Sequence, residues 1–273
     1  MNSPGIRFII SPTNFKNKRF LQNLNNKKAG GRPYRWQWLL RRQVEAVPHE
    51  FPWQVAVPID GSGFCGVSLI SPDWVLTAAH CADGANRFSI TLGAHDRTAT
   101  SHRKSPSPPP PTPSTPDGIL PPWPMILPSS ACHLPLPSPL KSVPSVWHLP
   151  PKPTTLEILS WSADWGKTAD GILEGVSPVL MKVTAPGITT AECAAVYGDI
   201  ITDNILCIYT TGGHGSCNGD SGGPLSFDNS GVYTQVGIVS FGARAGCADG
   251  FPAGFTRVSS YSQWIADTTG LII

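Results

Sequence analysis

The chain is short of charge. Asp, Glu, Lys and Arg make up only 14% of its 273 residues, against 27 Gly and 29 Pro, a profile that suits a loop-rich β protein better than a helical one. Long apolar runs are missing too: none reaches the roughly 18 residues that a transmembrane helix needs, so no membrane partner is expected. No Cys-x-x-Cys pair occurs among the seven cysteines, which offers neither a metal site nor a redox motif; no metal and no cofactor is expected. An export signal is not visible, because "FII" at residues 8–10 is too short for an apolar core and Asn and Lys follow it. Acid is absent from residues 1–43, which hold ten Lys or Arg, whereas the rest of the chain holds ten basic and eighteen acidic residues, net −8. A basic arm suggests nucleic acid or an anionic membrane. Nothing aromatic or helical organises these charges, so residues 1–43 are read as a disordered or mis-joined leader and nucleic acid is not expected as a partner.

What is present falls into zones. Residues 44–102 carry short strand-like runs ("FPWQVAV", "GVSLI", "WVLTAA", "FSITLG") broken by Gly, Pro and Asp. Residues 103–160 differ: eighteen of the 29 prolines lie between Pro106 and Pro153, and proline is excluded from central strands, so this zone carries no normal sheet. Residues 161–273 return to the strand pattern. A single short helix is expected at about 259–267, with Ser259 or Ser260 as N-cap and Tyr261, Trp264 and Ile265 on one face. Many short strands with turn signals read as an all-β barrel or sandwich. Six of the seven cysteines could form three disulfides, with one left over, which implies an oxidising compartment.

Two motifs carry chemistry. In "GDSGGP", 219–224, a serine hydroxyl needs a neighbouring base to become a nucleophile, and donors aimed at the oxyanion it creates. Gly219 can adopt backbone angles closed to other residues, turning its N–H inward beside that of Ser221. Gly222 and Gly223 leave room for substrate. In "TAAHC", 77–81, His80 titrates near neutral pH and can take the serine proton and return it to a leaving group.

Together with "EAVPHEFPWQV" (45–55), "CGVSLISPDWVLTAAHC" (65–81), "DWGKTAD" (164–170), "CNGDSGGPL" (217–225), "GIVSFG" (237–242) and "GFTRVSSYSQWI" (254–265), these motifs give a chain that resembles the chymotrypsin-like serine endopeptidases, with a look closest to arthropod digestive and collagenolytic members. The resemblance covers 44–102 and 161–273, within a protease domain at 44–273. It implies two packed six-stranded antiparallel barrels, the first disrupted by 103–160, with the active site between them. It also implies a secreted, zymogen-derived, monomeric enzyme acting on proteins or peptides and open to protein inhibitors. His80 would be the general base, Ser221 the nucleophile, and the Gly219 and Ser221 N–H groups the oxyanion hole. Asp220 would receive the new N-terminus formed on activation. The implied disulfides are Cys65–Cys81, Cys193–Cys207 and Cys217–Cys247, leaving Cys132. The specificity pocket would lie at Gly215, Ser216 and Ala253, with Ser240, Phe241 and Gly242 along the substrate. Gly215 offers no charge to a substrate cation, whose unpaired burial is costly, so the expected cleavage is after large apolar residues.

The family's third catalytic group is an acid about 45 residues after the histidine and about 93 before the serine. Those counts lead to residues 125–128, which read "MILP". Asp117 and Asp164 lie nearest, and neither has the apolar strand context for the role. Asp164 also stands where the family's Gly-Trp-Gly turn has its first glycine. At the other end, "LLRRQVEA" (39–46) replaces the small apolar N-terminus expected near Leu40. Two functional classes therefore stand: a serine endopeptidase, and a non-catalytic homologue that acts by binding. His80 and Ser221 are 141 residues apart, close to the family total, so length is kept where pattern is lost, as a reading-frame slip over about 103–160 would do. The codons of Met125-Ile126 necessarily contain G-A-T, an Asp codon, out of frame. Sequencing the transcript across this zone is expected to show the slip; an in-frame message encoding the proline run contradicts it.

Overall fold

The computed structural model describes residues 7–11, 41–98, 105–107, 125–126, 159–168, 175–210, 215–229, 232–243, 247 and 250–273. It is mostly β, in two sheets.

The first sheet is built on β3 (Gln54–Ile59), β4 (Gly63–Ser71), β5 (Trp74–Ala78) and β6 (Phe88–Leu92). Each is rich in Val, Ile, Phe, Trp and Thr, residues that fit a pleated, half-buried surface. β3 pairs antiparallel with β4 and β6, and β4 with β5. Val55, Val57, Val67, Leu69, Val75 and Phe88 form its core. β4 is buried continuously from Cys65 to Ser71 because both its faces are covered. Val67 and Leu69 point into this core, while Cys65 and Ile70 join a second cluster with Trp74, Leu76, Ile238, Val258 and Ile265. Simple alternation therefore understates how buried this strand is.

Two segments of the leader form strands. β1 (Arg7–Ser11) runs parallel to β5, and β2 (Arg41–Glu45) pairs antiparallel with a strand of the second sheet. Within 103–160, Ser105–Ser107 forms β7 on β6, and Met125–Ile126 forms β8 on β1. Among the described strands the first sheet stays open, ending at β7 and β8. The β5 edge is taken by β1, the single parallel pairing among the described strands.

The second sheet closes. β9 (Leu159–Asp164), β10 (Met181–Ile188), β11 (Ile205–Ile208), β14 (Ala253–Arg257), β13 (Val232–Phe241) and β12 (Pro224–Asn229) pair in that order, and β12 returns to β9. Every pairing in this six-stranded barrel is antiparallel. Ala185, Ile208, Leu225, Val239, Ala253 and Phe255 fill it.

Helices are short and number more than the one expected. α1 (Ala79–Ala82) carries His80. α2 (Thr190–Tyr197) opens with a capping box, in which the Thr189 side chain accepts the Glu192 N–H and the Glu192 carboxylate accepts the Thr189 N–H. That Thr-x-x-Glu signature is a local helix start in the sequence, in addition to the short C-terminal helix expected there. α3 (Ser262–Thr269) starts later than expected because Val258–Ser260 forms a 3-10 turn first; its N-cap is Tyr261, with no side-chain cap. Ile265 and Trp264 do face inward, onto the Cys65–Trp74–Leu76 cluster. Among the described residues no helix is long and apolar enough to cross a membrane.

Candidate active site

The site lies on the seam between the two sheets. β5 ends at Ala78 and α1 follows at once, so His80 sits one residue into a single helical turn. Its neighbour Cys81 is bridged to Cys65 on β4, which ties the turn to the sheet. The His80 side chain is exposed at its edge, but surrounding protein strips enough water from it that burial lowers its pKa below the ordinary 6.5. Burial is the sole cause of that shift, so among the described residues no carboxylate acts on the ring.

From the second barrel, the segment Cys217–Gly223 is threaded against this turn. The Gly66 N–H donates to the Ser221 carbonyl at 2.9 Å, and Cys81 Sγ lies 3.4 Å from the same oxygen. The Thr77 hydroxyl donates to the Gly66 carbonyl at 3.2 Å. The Ser221 backbone and the turn that carries His80 are thereby held together from opposite sheets. Gly222 has φ +81°, and a Cβ there would meet Thr77 Oγ1 and come 2.7 Å from the Gly66 carbonyl; the backbones approach too closely for any side chain.

Gly219 has φ +104°, and a Cβ on it would lie 2.6 Å from Val176 Cγ1. Around it, Asp220 N–H donates to the Cys217 carbonyl, Gly222 N–H to Val239 and Gly223 N–H to Asp220. The Gly219 and Ser221 N–H groups donate to no protein acceptor among the described residues. Two such donors, on the serine itself and two residues before it, are what a developing oxyanion needs.

Below them lies Asp220, 4% exposed. Its Oδ1 accepts the Gly166 N–H at 2.7 Å and its Oδ2 the Cys217 N–H at 2.6 Å. Burial pushes its pKa up to about 7, against the pull of those two N–H groups. Asp164, also 4% exposed, takes the preceding N–H of the same turn: Trp165 N–H donates to its Oδ1 at 2.9 Å. Asp164 is therefore placed beside Asp220 and not on His80.

The expected pocket residues lie on three segments, at 215–216, at the end of β13 and at the start of β14. Gly215 and Ser216 are buried, and so is Ala253 at the start of β14. A Cβ on Gly215 would be 2.8 Å from Thr210 Cγ2, and the Thr210 hydroxyl donates to the Phe251 carbonyl. The Gln43 carboxamide donates to the Gly215 carbonyl at 3.0 Å. Ser240 falls at a register shift between β13 and β14, a bulge that takes its backbone out of the ladder. Phe241 lies over Gly254 and packs edge-on to Tyr197 at 5.3 Å; the Tyr197 hydroxyl donates to the Pro252 carbonyl at 2.5 Å, and burial raises its pKa. Gly242 is exposed, with open space where a side chain would go.

The structure forms Cys65–Cys81, Cys193–Cys207 and Cys217–Cys247, the pairs that the resemblance implied. Cys132, Asp117 and Leu40 lie outside the described residues, as does most of 103–160. Gln43, Gly66 and Thr210 were not singled out from sequence. Of these only Gly66 had a signal, a glycine directly after a cysteine in a strand. Among the described residues no group of three His, Cys, Asp or Glu could hold a metal.

A trypsin family model matches residues 41–107 and 138–265. Brachyurin of Leptuca pugilator is 42% identical over 231 residues, 84% of this chain and 97% of its own length. Trypsin of Squalus acanthias is 34% identical over 229 residues, 82% of this chain and 93% of its own. A solved collagenase structure superposes with a TM-score of 0.61 at 28% identity, over 84% of this chain and 98% of the collagenase. The family match resumes at 138, inside the zone that proline content set apart, and skips 108–137.

Gly222→Ala is expected to cost roughly 3 kcal/mol or more in urea unfolding, from left-handed strain plus overpacking at the seam. A loss under about 1 kcal/mol would show that the two backbones are not held this closely.

Proposed function

The chain belongs to the trypsin family of serine endopeptidases, and on that premise we propose that Ser221 is its nucleophile, His80 its general base, and the Gly219 and Ser221 N–H groups its oxyanion hole. The observation that carries this reading is the pair of unpaired N–H groups beside a serine whose own carbonyl is pinned against the His80 turn. Ser221 Oγ attacks a peptide carbonyl and its proton passes to His80; the two N–H groups bind the oxyanion. His80 returns the proton to the departing amine, leaving an acyl-enzyme. Water, deprotonated by His80, then releases the acid and restores the serine.

Specificity follows from the same geometry. Gly215, Ser216 and Ala253 put no charge in the pocket, while Thr210 closes the space behind Gly215. The chain cleaves after large apolar residues such as Phe, Tyr and Leu. The Ser240 bulge leaves backbone groups for an extended substrate, with Gly242 open at the entrance. Three disulfides support an extracellular site of action. Protein inhibitors that present such an extended strand would compete, and the enzyme acts as a monomer.

A second reading, a binding protein without catalysis, is favoured by one observation: no carboxylate among the described residues acts on His80. In this family, loss of that acid lowers kcat about 10⁴-fold and leaves residual activity over water. Labelling of the folded chain by a fluorophosphonate separates the two. The enzyme reading expects labelling that Ser221→Ala abolishes, with an acid limb below pH 6.5 because the neutral His80 ring persists there. Chromogenic peptides ending in Phe should be cut in preference to those ending in Lys. A folded chain that is not labelled, or labels equally after Ser221→Ala, is a binder.

A further inference from the structure

The turn that shapes the oxyanion hole contains one acid more than its task requires. Trp165 N–H and Gly166 N–H, consecutive donors, each hold a carboxylate, the first from Asp164 and the second from Asp220. Both acids are buried at 4% exposure. Asp220 has an N–H on each oxygen, but Asp164 Oδ2 is buried without a partner. That oxygen occupies the space that a side chain on Gly66 or Gly223 would fill, so the two glycines that frame Ser221 also frame Asp164.

Beside Asp164 stands Gln54 of β3, close enough to hydrogen-bond the carboxylate and so to oppose part of the rise that burial and Asp220 impose. Gln54 is 1% exposed, and both its amide nitrogen and its oxygen are buried without partners. Asp164 Oδ2 and the two polar atoms of the Gln54 amide are the groups left to pair with each other. A protonated Asp164 donates from Oδ2 to Gln54 Oε1. An ionised Asp164 accepts from Gln54 Nε2 after the amide flips, but then stands as a second charge beside Asp220. Two carboxylates confined together resist ionising together.

The other charged groups nearby do not offset that charge. From the 175–180 segment, the Val176 and Ser177 carbonyls are held by the Arg97 guanidinium, which lies over Phe64. From the bend after β6, His95 offers its carbonyl to Trp165 Nε1 and turns its ring to Glu45. From β4, Cys65 is bridged.

We propose that Asp164 is a positioning residue of the oxyanion hole: as a neutral acid hydrogen-bonded to Gln54 it keeps a second charge away from Asp220, whose two oxygens hold the Gly166 and Cys217 N–H groups, and when ionised it loosens Cys217–Ser221. This rests on the reading of Gly219 and Ser221 as the hole. Burial and then Asp220 raise the pKa of Asp164 well above the usual carboxylate value, and Asp220 is raised to about 7. Both groups therefore hold protons more tightly in the fold than in the unfolded chain, where they titrate near 3.9. The resulting stability is fully present below about pH 4. It is lost as pH rises through about 7 for Asp220 and further as Asp164 ionises.

The test compares the full chain with Asp164→Asn and Asp164→Gly. Fluorophosphonate labelling of Ser221 and thermal melting are each followed from about pH 5 to 10. Asparagine keeps the donor to Gln54 and cannot ionise. The wild type should show an alkaline fall in labelling rate and in melting temperature. In Asp164→Asn both falls should shrink, with labelling about tenfold faster than wild type at the alkaline end, the equivalent of one unit of ionisation removed. Asp164→Gly should also shrink the alkaline fall in melting, leaving the part due to Asp220, and it serves if the asparagine variant does not fold. If both variants follow the wild-type alkaline limb in melting, the proposal is overturned. Melting also decides the case should Ser221 prove unreactive, an outcome that would remove the catalytic reading and not the acid pair.

Discussion

One hydrogen bond organises the site: the Gly66 N–H of the first sheet donating to the Ser221 carbonyl of the second at 2.9 Å. It requires two backbones to lie side by side, and the local sequence follows from that. Gly66 and Gly222 carry no side chain because none fits, and Cys81 beside the same carbonyl is held by its bridge to Cys65. His80 is carried into place by the same short turn. A fold of two β units thus holds the Ser221 backbone against the turn that carries His80, 141 residues earlier in sequence.

Charge is the second constraint. Among the described residues the site is nearly free of it: burial is the cause that shifts His80, Gly215, Ser216 and Ala253 carry no charge, and Asp164 and Asp220 are buried. Buried carboxylates survive there because consecutive N–H groups of the Asp164–Gly166 turn receive them, and because burial favours their protonated forms. On the proposed reading, the loop that carries Gly219 and Ser221 depends on a proton as well as on glycine geometry.

Much of this was legible in the sequence, for identifiable reasons. Gly219 and Ser221 sit in a motif whose residues are fixed by backbone angles and close approach, which leave little choice of amino acid. The strands were readable from β-branched runs, although β4, buried on both faces, does not alternate. What was not legible depends on distant packing. Gln43 reaches Gly215 across 172 residues, and Thr210 matters only because Gly215 folds against it. Asp164 reads as a turn residue until Asp220, 56 positions on, is placed beside it. α2 was missed although its capping box is local, because its low amphipathicity hid it among strands.

The central claim is that the seam presents Ser221 to a formed oxyanion hole. A peptide boronate with Phe at the cleaved position tests it directly, because its tetrahedral adduct needs both the serine oxygen and the two N–H donors. The account predicts that titration calorimetry detects binding to the folded chain and that Ser221→Ala weakens it by about a hundredfold or more, in line with the loss of a transition-state-like contact. Equal affinity in the two proteins would contradict it.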